Sequence, residues 1–216
     1  FIHLLCFSKY FKMNKDYSQD LSEIRNLMNR SSRFLSLSGT SGIMAGIYAI
    51  IGAGIAKIFF FPTFPTQLDY QNTGYTHSQV LPIVIDLLLV LLLSVVTAYV
   101  LSVKEAKKNN EKIWDETAKR LVFHFLVPLL TGGAYILLKL NQGDFASAAA
   151  LMLIFYGLAL LNASKYTIGT IKYLGISEIL IGLICACFPG YGFWFWTIGF
   201  GLLHIIYGSL MIIQQK

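Results

Sequence analysis

From Ile171 to Ile213 the chain is apolar almost without a break, reading IKYLGISEILIGLICACFPGYGFWFWTIGFGLLHIIYGSLMII. Two runs meet at Phe188-Pro189-Gly190-Tyr191-Gly192, and each approaches the ~20 residues that a helix needs to cross about 30 Å of hydrocarbon. In that solvent every backbone N–H and C=O must be bonded within its own segment, so runs of this kind have to be helices. The stretch is expected to form a transmembrane hairpin, with spans at about 171–188 and 193–213.

Each run carries one ionisable residue between two glycines: Gly175-x2-Glu178-x3-Gly182, then Gly201-x2-His204-x3-Gly208. Spacings of three and four residues put each trio on one side of its helix. Small residues let helix backbones approach closely in lipid, and polar groups then bond across the contact. An acid or histidine inside a span is costly and normally finds a partner. Glu178 lies 12 residues before Gly190 and His204 lies 14 after it. At about 1.5 Å per residue they reach depths within roughly 3 Å of each other. The hairpin is therefore expected to pair Glu178 with His204.

Four further spans precede the hairpin. The first, about 36–61, repeats small residues at Gly39, Gly42, Gly46, Ala49, Ala53 and Ala56, a seam of period 3.5 that invites close packing by another helix. The second, about 80–103, begins near Pro82 and carries Asp86 one turn inside; Lys57 of the first span should lie at similar depth and form an outer-side ion pair with it. The third, about 121–139, contains His124, a kinking Pro128 and Gly132-Gly133. The fourth, about 145–162, places Ser147, Ala150, Gly157 and Ser164 near one face. The whole reads as an all-α bundle of six transmembrane helices, 36–213. A Tyr nine residues before a Lys recurs at Tyr99, Tyr156 and Tyr207, which admits three helical-hairpin repeats.

Three strings taken together, RNLMNRSSRFLSLSGTSGIMAGIYA at 25–49, LIFYGLALLNASKYT at 153–167 and FPGYGFWFW…GFGLLHIIYG in the last hairpin, resemble an uncharacterised family of six-span integral membrane proteins of Bacteroidota. The resemblance covers most of residues 21–213. It implies a multi-pass protein of a bacterial inner membrane and brings no activity with it.

The polar segments set orientation. Residues 1–12 precede Met13 and are expected to be upstream translation or a fragment edge. Residues 13–35 form a cytoplasmic segment whose stretch 20–35 reads as an amphipathic helix on the headgroups. Residues 104–120 read as a cytoplasmic loop, helical through the i,i+4 pairs Asp115–Lys119 and Glu116–Arg120. With the N-terminus inside, all but Lys57 and Lys139 of the 17 Lys and Arg fall on the inner side. The excess predicts both termini inside.

Only 13% of the 216 residues are charged and mean hydropathy is +0.62, against roughly 25% charge in a soluble domain, which leaves no room for a second, soluble domain. The net charge of +6 comes from basic residues flanking spans and is no nucleic-acid signature. Of three cysteines, Cys185 and Cys187 point to different faces and read as packing. No Walker loop, Gly-x-Ser-x-Gly or His-Glu-x-x-His occurs, so the chain is not expected to be an enzyme, and no cofactor or metal site is expected. The chain is expected to be a non-enzymatic subunit or a regulatory or sensing component acting through a membrane or cytoplasmic partner; the alternative is a small proton-linked transporter or channel built on Glu178 and His204. A homodimer is compatible with either, and the lipid bilayer is a partner of both.

Overall fold

The computed structural model describes residues 39–59, 77–108, 114–167 and 171–214. Residues 1–12, the amphipathic stretch 20–35 and most of the loop 62–79 lie outside the described residues. Among the described residues six helices follow one another: α1 (Gly39–Phe59), α2 (His77–Lys108), α3 (Glu116–Asn141), α4 (Ala148–Ala163), α5 (Ile171–Cys187) and α6 (Gly192–Gln214). Five of them are long and apolar enough to cross a membrane, α4 together with the 3-10 turn Ser164–Tyr166 that continues it. The remaining one, α5, has 17 residues, the lower limit for a span.

Several boundaries differ from those expected. Helix α2 begins at His77 and passes through Pro82, which removes one ladder bond close to the helix end. It then runs on to Lys108, so the segment 104–120 is partly an extension of α2. The expected pair Asp115–Lys119 gives way to a cap. Asp115 is the N-cap of α3 and its carboxylate accepts from the Ala118 N–H at 2.7 Å. Lys119 turns to Glu116 instead, at 2.8 Å. At the other end of α3, Lys139 pairs with Asp144 at 3.4 Å, and Asp144 accepts from the Ser147 N–H that opens α4.

Helix α6 is not uniform. An α-helical turn, Gly192–Trp196, leads into a π-helical stretch, Thr197–Leu203, before α-geometry resumes at His204. π-Stretches are rare and cluster at functional sites. Here two glycines, Gly199 and Gly201, lie within it and both are buried.

Packing falls into two groups. Helix α1 packs on α2 and on α6; α4 packs on α3 and on α5. The α1–α6 contact is antiparallel and glycine-lined. A Cβ on Gly39 would stand 2.5 Å from the Gly208 carbonyl, and one on Gly46 would stand 2.6 Å from that of Gly201. The α4–α5 contact repeats the device, with 2.6 Å from a Gly157 Cβ to the Gly175 carbonyl and 3.0 Å from a Gly182 Cβ to that of Ala150. Helices α5 and α6, although adjacent in sequence, touch lightly. Their principal link is the turn, where Gly190 takes φ +98°.

The reason lies in helix phase. At 3.6 residues per turn, Glu178 points about 60° away from the Gly175–Gly182 line. The glycines of α5 can therefore face α4 while the acid faces α6. His204 holds the matching position on α6, whose glycines face α1.

Candidate functional site

The light α5–α6 contact contains the buried polar groups. Glu178 on α5 is fully buried, and His204 on α6 is 5% exposed. The structure brings His204 Nδ1 to 3.5 Å from Glu178 Oε1. Nδ1 is also 3.1 Å from the Gly199 carbonyl in the π-stretch. A carbonyl only accepts, so Nδ1 carries a proton. The other ring nitrogen, Nε2, lies 2.8 Å from the Tyr156 hydroxyl of α4. In neutral His204 the Tyr156 O–H donates to Nε2; in the imidazolium Nε2–H donates to the Tyr156 oxygen.

Aromatic rings enclose the imidazole. Tyr156 and Phe200 stack on it with centroids at 5.4 and 6.0 Å, and Phe125 meets Tyr156 edge-on at 6.1 Å. Trp196 extends the group through Phe200. Below them Ala150, Leu153 and Cys185 form a dry core.

Glu178 is the unusual member. Among the described residues neither carboxyl oxygen has a hydrogen-bond partner, although both are buried. Buried polar groups in native structures are overwhelmingly satisfied, and each exception needs an explanation. Oε2 lies against Gly199, where a Cβ would stand 2.6 Å from it. Glycine at 199 thus does two things: its missing side chain admits the carboxyl, and its carbonyl accepts the hydrogen bond from His204 Nδ1–H.

The remaining residues singled out in the sequence are dispersed. Gly39, Gly46, Gly201 and Gly208 line α1–α6 and Gly175 and Gly182 line α4–α5. Gly42 sits more loosely, 3.4 Å from the Gly208 Cα by its would-be Cβ. Asp86 directs its carboxylate at Gly52 of α1, at 3.4 Å from the position of a Cβ there, and Lys57 lies in the last turn of α1. Of Gly132-Gly133, only Gly132 meets a neighbour, the Phe155 ring. Cys185 is buried and Cys187 exposed. Among the described residues no three His, Cys, Asp or Glu converge as a metal site.

Tyr156 enters the sequence reading only through its spacing to a Lys nine residues on. It stands at the ninth position of the 16-residue α4, in the middle of the helix. Gly199 and Phe200 were missed as well. The spacing Phe200-x3-His204 puts one ring over the other on a helix and was a usable signal. The π-stretch that exposes the Gly199 carbonyl had none.

The chain is a polytopic, helical membrane protein with a buried acid and imidazole in contact with a half-buried tyrosine. No protein-family model, curated protein or solved structure matches it, so the resemblance to a Bacteroidota family has no match behind it.

Proposed function

We propose that the chain is a proton-linked transporter or channel of a bacterial cytoplasmic membrane, with both termini inside, and that Glu178 and His204 share its working proton. One observation carries the reading: among the described residues both oxygens of a completely buried carboxyl lack a hydrogen bond, while the His204 imidazole stands at 3.5 Å. A residue kept merely to lock two helices would be expected to make its bond. A group that must gain and lose a proton does better without a deep hydrogen-bonded well, and paired titratable groups with different surroundings are the usual apparatus for it. Tyr156 extends the pair to three side chains through which a proton can be held or passed. The expected Lys57–Asp86 ion pair is not among the ion pairs of the described residues and plays no part in this reading.

A second reading, a non-enzymatic subunit or sensing component, draws on α2. That helix packs on α1, and Leu88, Leu92 and Val96 along it are more than half exposed. The face suits lipid or the helix of a partner.

Reconstitution separates the readings. Under an imposed pH gradient, liposomes holding the purified protein should dissipate the gradient faster than empty ones, and Glu178→Gln should return the rate to the empty-liposome value. A rate indistinguishable from empty vesicles in the unmodified protein, or one untouched by Glu178→Gln, rejects proton linkage at this pair.

A further inference from the structure

The placement of the two glycine contacts divides the bundle. Helices α1, α2 and α6 form one packed group, and α3, α4 and α5 form another. Within each group backbones meet across glycine. Between them the contacts are few. They comprise the Gly192–Trp196 turn of α6 against α4, the light α5–α6 contact and the bonds of His204. Gly192 approaches the Ala149 Cβ there, next to the positive-φ Gly190. Toward the opposite end the seam is held by a Ser177–Tyr207 hydroxyl contact of 3.4 Å. Glu178, His204 and Tyr156 sit between these two ends.

We infer that this seam is a proton-operated hinge, closed while the Glu178–His204 pair holds one proton in addition to the one on Nδ1 and opened by either loss or gain of a proton. The inference rests on the proton-linked reading above and names what the proton does. With that one proton the pair is neutral overall, whether it is written as carboxylic acid with imidazole or as carboxylate with imidazolium. A neutral pair can remain in a dry seam. Removing the proton leaves a lone carboxylate; adding another leaves a lone imidazolium. Either charge would be buried without compensation, and the contact that can yield is the one not closed by glycine.

Among the described residues the groups facing the pair supply no counter-charge. Tyr156 is the titratable residue presented by α4, Tyr207 stands one turn further along α6, and Cys185 lies two turns along α5 within the apolar core. On the far side of α6, α1 presents Gly42 and Gly46. His124 of α3 stacks on Tyr166, and Tyr48 of α1 meets Thr97 of α2, so both belong to other contacts. No cavity is needed for this ligand, since it is a proton, and burial of the pair is the condition for its effect.

The test is a distance between the two groups of helices as a function of pH. Cysteines introduced as Tyr173→Cys on α5 and Leu210→Cys on α6, both at exposed positions, carry spin labels in a chain whose three native cysteines are replaced. In lipid nanodiscs the separation should be shortest near neutrality. It should lengthen by about 2 Å or more towards both pH 5 and pH 9. Glu178→Gln should remove the alkaline lengthening and keep the acid one; His204→Gln should do the reverse, and each variant tests its limb alone if the other fails to fold. A separation constant across the range overturns the hinge, as does an alkaline limb that survives Glu178→Gln. Proton flux with an unmoving seam would leave the transport reading intact and remove the hinge. A moving seam without flux would do the opposite.

Discussion

Gly42 and Gly46 are one turn apart on α1 and face the same helix, yet the structure assigns them different consequences. A Cβ on Gly46 would stand 2.6 Å from the Gly201 carbonyl, 2.7 Å from Ile205 Cγ1 and 3.0 Å from Ile205 N. Two of these atoms are backbone and cannot rotate away. The helices would have to separate by about 0.8 Å to restore an ordinary contact, and overpacking of this kind typically costs about 1–3 kcal/mol. Replacing glycine by alanine in a helix returns about 0.5–1 kcal/mol of backbone entropy. The net for Gly46→Ala is a loss of about 1–2 kcal/mol. At Gly42 the nearest atoms are the Gly208 Cα at 3.4 Å and the His204 carbonyl at 3.5 Å, already ordinary contacts. There the entropy gain stands alone, so Gly42→Ala should be neutral or slightly stabilising. With about 2–4 °C per kcal/mol for a chain of this size, Gly46→Ala should lower the unfolding midpoint in detergent by roughly 2–8 °C relative to the parent. Tryptophan fluorescence from Trp194 and Trp196, in the first turn of α6, can follow it. Gly54→Ala, with nothing within 4 Å, is the control for helix propensity alone. If Gly42→Ala and Gly46→Ala melt at the same temperature, the α1–α6 approach described here is wrong.

Two further outcomes follow from the site and its surroundings. Tyr156→Phe removes the hydroxyl from His204 Nε2 and keeps the ring stack. It should leave the fold intact with a loss of about 1 kcal/mol, measured by thermal unfolding, and should slow pH-gradient dissipation; an unchanged rate would take Tyr156 out of the proton path. Asp144, in the α3–α4 connection, has its carboxyl held below the usual carboxylate range. Burial works most strongly and raises it, but hydrogen bonds from Ser147 and Lys139 and the Lys139 charge together prevail. A depressed folded value means stability present above the unfolded pKa of about 3.9 and lost as pH falls through the folded one. Asp144→Asn should therefore cost about 0.5 kcal/mol at pH 7, after allowance for solvent screening at a side chain 36% exposed, and nothing at pH 2. Equal melting differences at the two pH values would refute the ion pair.

Much of the architecture was readable because lipid imposes it. Where water is absent, an apolar run of the right length has to be a helix, and six such runs mark six helices. The glycine faces were readable for the same reason, as repeats at seven residues. What a single helix does not reveal is which neighbour its small face meets. Gly175 and Gly182 flank Glu178, and Gly201 and Gly208 flank His204, which suggests that the last hairpin zips against itself. The 60° between each glycine line and its ionisable residue instead lets one helix serve two neighbours. That choice depends on α1 and α4, each of which carries a matching Gly-x6-Gly or Ala-x6-Gly pair. The π-stretch was not readable at all: Thr197-Ile198-Gly199-Phe200-Gly201 is equally compatible with α-geometry, and the extra residue per turn is decided by what Gly199 must accommodate.

The two-neighbour arrangement has an energetic logic of its own. Lipid gives helices little hydrophobic reason to associate, so adhesion must come from close backbone packing or from polar bonds. This bundle uses the first for α1–α6 and α4–α5, while α5 and α6 meet through polar groups, the Glu178–His204 approach at 3.5 Å and the Ser177–Tyr207 hydroxyl contact. Close packing depends on shape and is indifferent to pH. Polar bonding around Glu178, His204 and Tyr156 depends on where one proton resides. Assigning the two kinds of adhesion to different helix pairs confines any response to protons to one seam. Had the glycines of α5 and α6 faced each other, the seam would have been held by shape, and the charge state of Glu178 would have had far less leverage on it.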